Sequence, residues 1–360
     1  MANIFVRSPY IVSINETGQI ETKVELFIWN GSGSAPASPT YTLSKLIPAP
    51  TQTLTTYNIS SYVREFISHP FFTNKYGPVV SFDTREYCNV QIKRYYKTTT
   101  TFTLIDTVTH RAFDGYSLYT EGYNKDLGNQ LLKGGKTYYY LYKSEANGNL
   151  INYPLYRPGD LTIYYQVGEK VRWTNLRTGV QTTFTKGGSN GVDVDPRVRE
   201  ANYADGNLFE HLTSANAVLW SATFKPKTEC KYEPVCCDFI NRYGAWQREY
   251  FFKASKSNIE VQNTEYNLLQ NTLVNFDVLE GQRKTFNTNY AERVTVNTDW
   301  VTEDFSDNLR ELMTSERILI DNRPAKLNSK SVELQKHVNT KMINYTLEFE
   351  FATDIINNVI

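Results

Sequence analysis

Apolar and polar residues alternate along much of this chain with a period of two, the signature of strands half-buried on a sheet. The clearest run is INYTLEFEF at 343–351. Ile343, Tyr345, Leu347, Phe349 and Phe351 fall on one side, and Asn344, Thr346, Glu348 and Glu350 on the other. Residues 4–30 read as two strands separated by the turn-forming NETG at 15–18, with Val24, Leu26 and Ile28 sharing a face of the second. A Gly/Ser/Pro loop follows, then YTL at 41–43. Strands are predicted at 79–84, 88–96, 101–108, 136–143, 161–166, 170–175 and 181–185, with loops at 147–148 and 186–191. This succession of short strands and turns is the rhythm of a β-sandwich.

Two segments carry helical spacing instead. Ile59, Val63, Phe66 and Ile67 form one apolar stripe, predicting a short helix over Ser60 to Ile67, with Asn58 or Ser60 as cap and Pro70 as its limit. Phe305, Leu309, Leu312 and Met313 give the clearest helix, near 303–314, with Thr302, Glu303 and Asp304 supplying a cap and negative charge at its start. ERILI at 316–320 reads as a strand and DNRP at 321–324 as a turn.

The expected fold is mainly β. Residues 1–225 form a β-sandwich-like region, as one or two subdomains, and residues 226–360 a C-terminal β-sheet domain with one packed helix. The break is placed in the polar, proline-bearing FKPKTECKYEPVCCDF at 224–239. A chain of 360 residues has room for two or three such units, each with its own core.

Composition narrows the function classes. Lys+Arg and Asp+Glu both number 38, so the surplus of positive charge typical of duplex nucleic-acid binders is missing, and direct nucleic-acid binding is not expected. Nor does the chain contain an apolar run of membrane-spanning length, and no membrane partner is expected. MANIFVR lacks the layout of a signal peptide, which predicts residence in the cytoplasm of the producing cell unless the protein leaves inside an assembly. The 26 Tyr, 19 Phe and 5 Trp suit strand surfaces, and equally subunit contacts or a glycan-contacting face.

Motifs for chemistry are missing. There is no phosphate-cradling glycine loop, no His-Glu-x-x-His and no Gly-x-Ser-x-Gly elbow; LLKGGKT at 131–137 reads as a turn. Cys88, Cys230, Cys236 and Cys237 contain no Cys-x2-Cys knuckle and read as core thiols. Asp193 with Asp195, and Asp304 with Asp307, fall short of a calcium loop. Asp83, Glu86, Asp106 and Asp114 are acids near strand ends, and a glycosidase-type pair would have to be built in space. No catalytic, cofactor-binding or metal-binding residue is assigned, no cofactor is expected, and the chain does not read as an enzyme.

The most distinctive segment is YGAWQREYFF at 243–252. It reads either as a core strand or as a subunit contact, for which Tyr243, Trp246, Arg248, Tyr250 and Phe251 are the candidate residues.

The chain from about Tyr232 to Ile360 resembles virion structural proteins of tailed bacteriophages that infect Bacteroidetes-type hosts. The resemblance rests on FINRYGAWQREYFFKAS, WVTEDFSDNLRELMTSERILI and SVELQKHVNTKMINYTLEFEFATDII, with SPYIVSI and YNISSYVREFI adding to it near the N-terminus. It implies a tail, baseplate or neck protein that forms a symmetric homo-oligomer, meets other virion proteins and is assembled in the host bacterial cytoplasm. It carries over no functional residue. The competing expectation is a carbohydrate- or receptor-binding β-sandwich module.

Overall fold

The computed structural model of the chain describes residues 3–31, 33–49, 51–70, 85–128, 132–144, 150–152, 162–165, 167–188, 191–194, 206–227, 234–253, 255–268, 279, 281–332, 342–353 and 356. The strand expected at 79–84, the turn at 147–148, Asp83, Asp195 and Cys230 lie outside the described residues. Among the described residues the architecture is mainly β, with several sheets, some of them mixed, and two short α-helices. It divides into two compact units, residues 1–228 with 239–249, and residues 229–238 with 250–360. The segment 239–249 is thus grouped with the first unit although it follows the break read from the sequence.

The first unit opens with β1 (Asn3–Phe5), β2 (Ile11–Asn15), β3 (Glu21–Trp29), β4 (Tyr41–Leu46), β5 (Leu54–Asn58), α1 (Ser60–Arg64), β6 (Tyr87–Lys97) and β7 (Phe102–Phe113). Five of the strands form a sheet in the order β1-β7-β6-β3-β4, while β2 and β5 pair as a two-stranded sheet. Alternation explains the layering. Val24, Leu26 and Ile28 of β3, with Val90 and Ile92 of β6, join Val12 and Ile14 of β2, Tyr57 of β5 and Val63 of α1 in one buried core. The hydroxyls of Thr22 and Tyr57 are 2.7 Å apart inside that core, so the polar tip of the tyrosine is satisfied where it is buried.

Helix α1 is shorter than its apolar stripe predicts, ending at Arg64 and not Ile67. Ser60 does not cap it. Its hydroxyl donates to Ser8 O (2.7 Å) and accepts the Tyr10 N–H (2.6 Å), tying the helix start to the segment before β2. Asn58 Oδ1 accepts the Ser60 N–H at 3.2 Å, and Ile59, the residue at the cap position, makes no side-chain cap bond. A helix this short is held by the packing of Ile59 and Val63, while Phe66 and Ile67 sit half-buried at the core margin.

Further along the first unit come β8 (Thr137–Ser144), β9 (Leu150–Asn152), β10 (Thr162–Tyr165), β11 (Lys170–Asn175), β12 (Gln181–Thr185), β13 (Gly191–Val194), β14 (Asn207–Leu212) and β15 (Val218–Lys227). β10 pairs with β13, and the rest form a six-stranded sheet in the order β12-β11-β14-β15-β8-β9. Its core is aromatic: Phe209 meets Trp220 edge-on at 5.7 Å and Tyr138 stacks on Phe224 at 5.6 Å.

β16 (Val235–Ile240) and β17 (Trp246–Phe251) form a hairpin that the division between units crosses. The second unit continues with β18 (Lys256–Asn267), β19 (Arg283–Asn297), β20 (Val301–Thr302), α2 (Phe305–Met313), β21 (Ile318–Ile320), β22 (Arg323–Leu327), β23 (Met342–Ile343) and β24 (Thr346–Phe351). The sheet has seven strands, ordered β17-β16-β21-β22-β24-β19-β18. Helix α2 stands where the sequence predicts a helix, with Leu309 and Leu312 buried. The DNRP stretch holds a tight hairpin turn at Asp321 and Asn322, both with positive φ, and β22 starts at once with Arg323. In the C-terminal run, Leu347, Phe349 and Phe351 are buried and Thr346 is exposed, as the alternation demands.

Candidate interaction surfaces

The hairpin β16–β17 owes its shape to one asparagine. Asn241 Oδ1 accepts the backbone N–H of Tyr243 (2.9 Å) and of Ala245 (3.1 Å), and its own N–H reaches Ala245 O at 2.9 Å. Gly244 completes the turn with φ +77, a left-handed conformation in which side chains are strained. The turn packs closely on residues 114–115: a Cβ on Gly244 would lie 2.7 Å from the Asp114 backbone, and one on Gly115 would lie 2.5 Å from Arg242 O.

This turn places the candidate contact residues. Tyr243, Trp246 and Arg248 belong to the first unit, Tyr250 and Phe251 to the second, and all five are buried within the single chain. Tyr243 packs with Phe5, Tyr87 and Phe113, Trp246 lies edge-on to His69, and Phe251 packs on Phe349. Beside them, Arg64 Nε donates to Asp114 Oδ1 at 2.7 Å, and His69 Nε2 stands 3.4 Å from Asp114 Oδ2. Burial resists ionisation of Asp114, but His69 and Arg64 outweigh it and hold its pKa below the usual carboxylate value. Arg242 pairs with Glu121, which brings the hairpin turn to the single-turn helix at 119–121.

The next hairpin is built differently. Only Arg293–Asn297 of β19 pair with β24, so beyond Arg293 the β18–β19 pair runs on as a two-stranded ribbon. All of β18 is exposed except for a half-buried Glu260. Apolar side chains stand on both faces of this ribbon. Ile259 and Val261, 60% and 59% exposed, share one face with Tyr290, which is paired opposite Val261. A register shift after Gln262 precedes the other face's pair, Tyr266 and Phe286, whose rings meet edge-on at 5.5 Å. The ribbon's root is clamped by Arg293, which reaches Glu260 at 2.6 Å and Glu350 at 3.1 Å. Only the structure shows that Ile259 and Val261 on one face, and Tyr266 and Phe286 on the other, are exposed.

A third feature is a groove of about 240 Å³ between β2, β6 and β7, lined by Tyr10, Ser13, Ile92, Arg94, Val108 and His110. Arg94 is held there by Asp106 through two hydrogen bonds (2.7 and 2.5 Å) and donates a third to Ser13 O at 2.7 Å. That pairing lowers the Asp106 pKa and raises that of Arg94. Tyr10, T-shaped against His110 at 5.8 Å, has its pKa raised by burial and the charge of Asp126. The Asn124 side chain closes one wall by pairing with both backbone groups of Ile11 at 2.7 Å.

Among the described residues, no group of three or more His, Cys, Asp or Glu is placed to hold a metal ion. Cys88, Cys236 and Cys237 are buried in the core, and burial pushes the Cys88 pKa up to about 12. Asp304 precedes α2 without a side-chain cap bond, and Asp307 faces Arg310 at 3.8 Å. Asp106 and Asp114 are each engaged by an arginine, while Glu86 is fully buried, and no pair of these acids flanks the groove. No helix among the described residues is long and apolar enough to cross a membrane.

No family model matches the chain, and no curated protein does. A crystal structure of the periplasmic chaperone SfaE aligns with 63% of this chain and 97% of its own at 8% identity, with a TM-score of 0.16. An overlap that loose carries no argument about fold or role.

Proposed function

We propose that this protein works by docking and not by turnover, as a structural component of a larger assembly. The observation that carries this reading is the β18–β19 ribbon, which leaves its sheet with apolar side chains exposed on both faces. An isolated two-stranded ribbon is marginal in water, and exposed apolar positions on it gain most when a partner covers them. Following the resemblance of its C-terminal portion, the assembly is a bacteriophage virion and the chain a homo-oligomeric tail, baseplate or neck protein that meets other virion proteins. The test is composition: purified tailed particles from cultures expressing the gene should contain the chain at a fixed copy number. Particles that lack it at every purification step would sink the reading.

The groove beside Tyr10 favours a second reading, a carbohydrate- or receptor-binding module. Its mixed lining of tyrosine, arginine, serine and aliphatic walls has the chemistry that holds a small polar ligand. Saturable binding on a glycan array, lost in Tyr10→Ala, would support it; a blank array would remove it.

A further inference from the structure

We infer that β18 pairs antiparallel with β18 of a second copy of this chain, about a two-fold axis passing between the two Val261 residues. The inference rests on the docking reading above and names its partner. Three features lead to it.

First, β18 is an edge strand without the usual guards. Among the described residues it ends its sheet; it spans 12 residues, holds no proline and carries one lysine, at its very start. The register irregularity of the hairpin puts the extra residue on β19, so β18 keeps a regular outer edge. Such an edge presents a row of backbone donors and acceptors to any strand that can join it. The opposite edge of the same sheet, β17, is buried along its whole length.

Second, a two-fold axis normal to the sheet restricts the partner's register. Facing residues must lie on the same face, so only alternate registers are allowed. Centred on Val261, the pairing sets Val261 against its copy, Ile259 against Asn263, Glu260 against Gln262, and Lys256 against Tyr266. No two like charges oppose each other. Ile259 lies diagonal to the partner's Val261, so four aliphatic side chains close around the axis, flanked by the two Tyr290 rings. Moving the axis one residue back, to Glu260, sets two carboxylates face to face. Moving it one residue forward, to Gln262, sets Ile259 against Glu265 and breaks up the apolar group.

Third, the acid nearest the axis is already compensated. Glu260 is paired with Arg293 at 2.6 Å, so the joined edge brings no uncompensated charge to its centre. The join would extend two seven-stranded sheets into one continuous sheet.

Single-cysteine variants of the full chain test the register. Under mild oxidation, Val261→Cys should link into a dimer and Lys256→Cys should not. Mixing Lys256→Cys with Tyr266→Cys should give the mixed dimer. The unmodified chain, whose described cysteines are buried, serves as control. Sedimentation velocity should show dimers of the unmodified chain that Val261→Lys weakens about tenfold or more, with unchanged circular dichroism, because two lysines then face each other. A chain that stays monomeric at high concentration, or Lys256→Cys linking to itself, overturns the pairing. If purified particles nevertheless contain the chain, the docking reading survives and only the partner was misassigned; if they do not, both fall together.

Discussion

The hairpins β16–β17 and β18–β19 follow each other in the chain and have opposite fates. The first carries Phe239, Tyr243, Trp246, Tyr250 and Phe251 within 13 residues, and every residue of both its strands is buried. The second is mostly polar, with a few aliphatic and aromatic residues spaced along it; β18 is exposed except for a half-buried Glu260, and β19 passes from exposed to half-buried along its length, with Val294 and Val296 buried. Aromatic density therefore marks where this chain packs on itself. The exposed apolar surface is found where isolated Ile, Val, Tyr and Phe interrupt a polar ribbon. A large side chain gains most from complete burial, so a run of them is drawn into a core; single apolar residues on a two-stranded ribbon have no second layer to meet.

If this contrast is right, Trp246→Ala should do the most damage. It empties a fully buried site against His69 and should cost about 3–5 kcal/mol, read as a fall in the denaturant midpoint. A loss under about 1 kcal/mol would mean that the hairpin is not core. Gly244→Ala comes next, because it adds strain at positive φ and a collision with the Asp114 backbone; about 1–3 kcal/mol is expected from thermal unfolding.

Acid should also reach the seat of the buried hairpin. The folded-state pKa of Asp114 is lowered, so its contribution is present above the unfolded value near 3.8 and is lost as pH falls through the lower folded value. Asp114→Asn should flatten that acid limb of the stability curve, and an unchanged limb would refute the assignment. Smallest in stability are Ile259→Ser and Val261→Ser, within about 0.5 kcal/mol of the parent, because both residues are exposed in the single chain. Their effect should appear in association by sedimentation. A clear loss of monomer stability would show that the ribbon is more covered than its exposure indicates.

Much of the fold was legible in the sequence, and the reasons differ by element. The alternation of Val24, Leu26 and Ile28, and that of Leu347, Phe349 and Phe351, reads directly because each strand has one face in a core and the other outside it. Helix α2 was legible because its stripe and its length agree. Helix α1 was overextended at its C-terminal end, where the Phe66 and Ile67 N–H groups reach back three residues, to Val63 O and Arg64 O, and the chain turns instead of continuing the helix. No strand was read at 283–297, since a ribbon with apolar residues on both faces has no strong alternation. The groove was invisible for another reason. Tyr10, Arg94 and His110 are far apart in sequence and meet only once β2 lies beside β6 and β7. The five residues singled out at 243–251 were recognised as packing anchors of a kind, but a sequence cannot tell a core from an interface when the same residue types serve both.

The pairing of β1 with β7 bears on how the chain is made. Asn3, Ile4 and Phe5 lie parallel to Arg111, Ala112 and Phe113, so β1 leaves the ribosome well before its neighbour, more than a hundred residues downstream. At about 5–20 residues per second, β1 must wait on the order of ten seconds for β7 to be made, with Ile4 and Phe5 in water. Contacts this distant in sequence also slow the search for the native topology. Translation speed and chaperone supply should accordingly govern the yield of this protein more than its final stability does, and slowing synthesis across residues 6–113 should lengthen the interval in which that strand can be captured by something else.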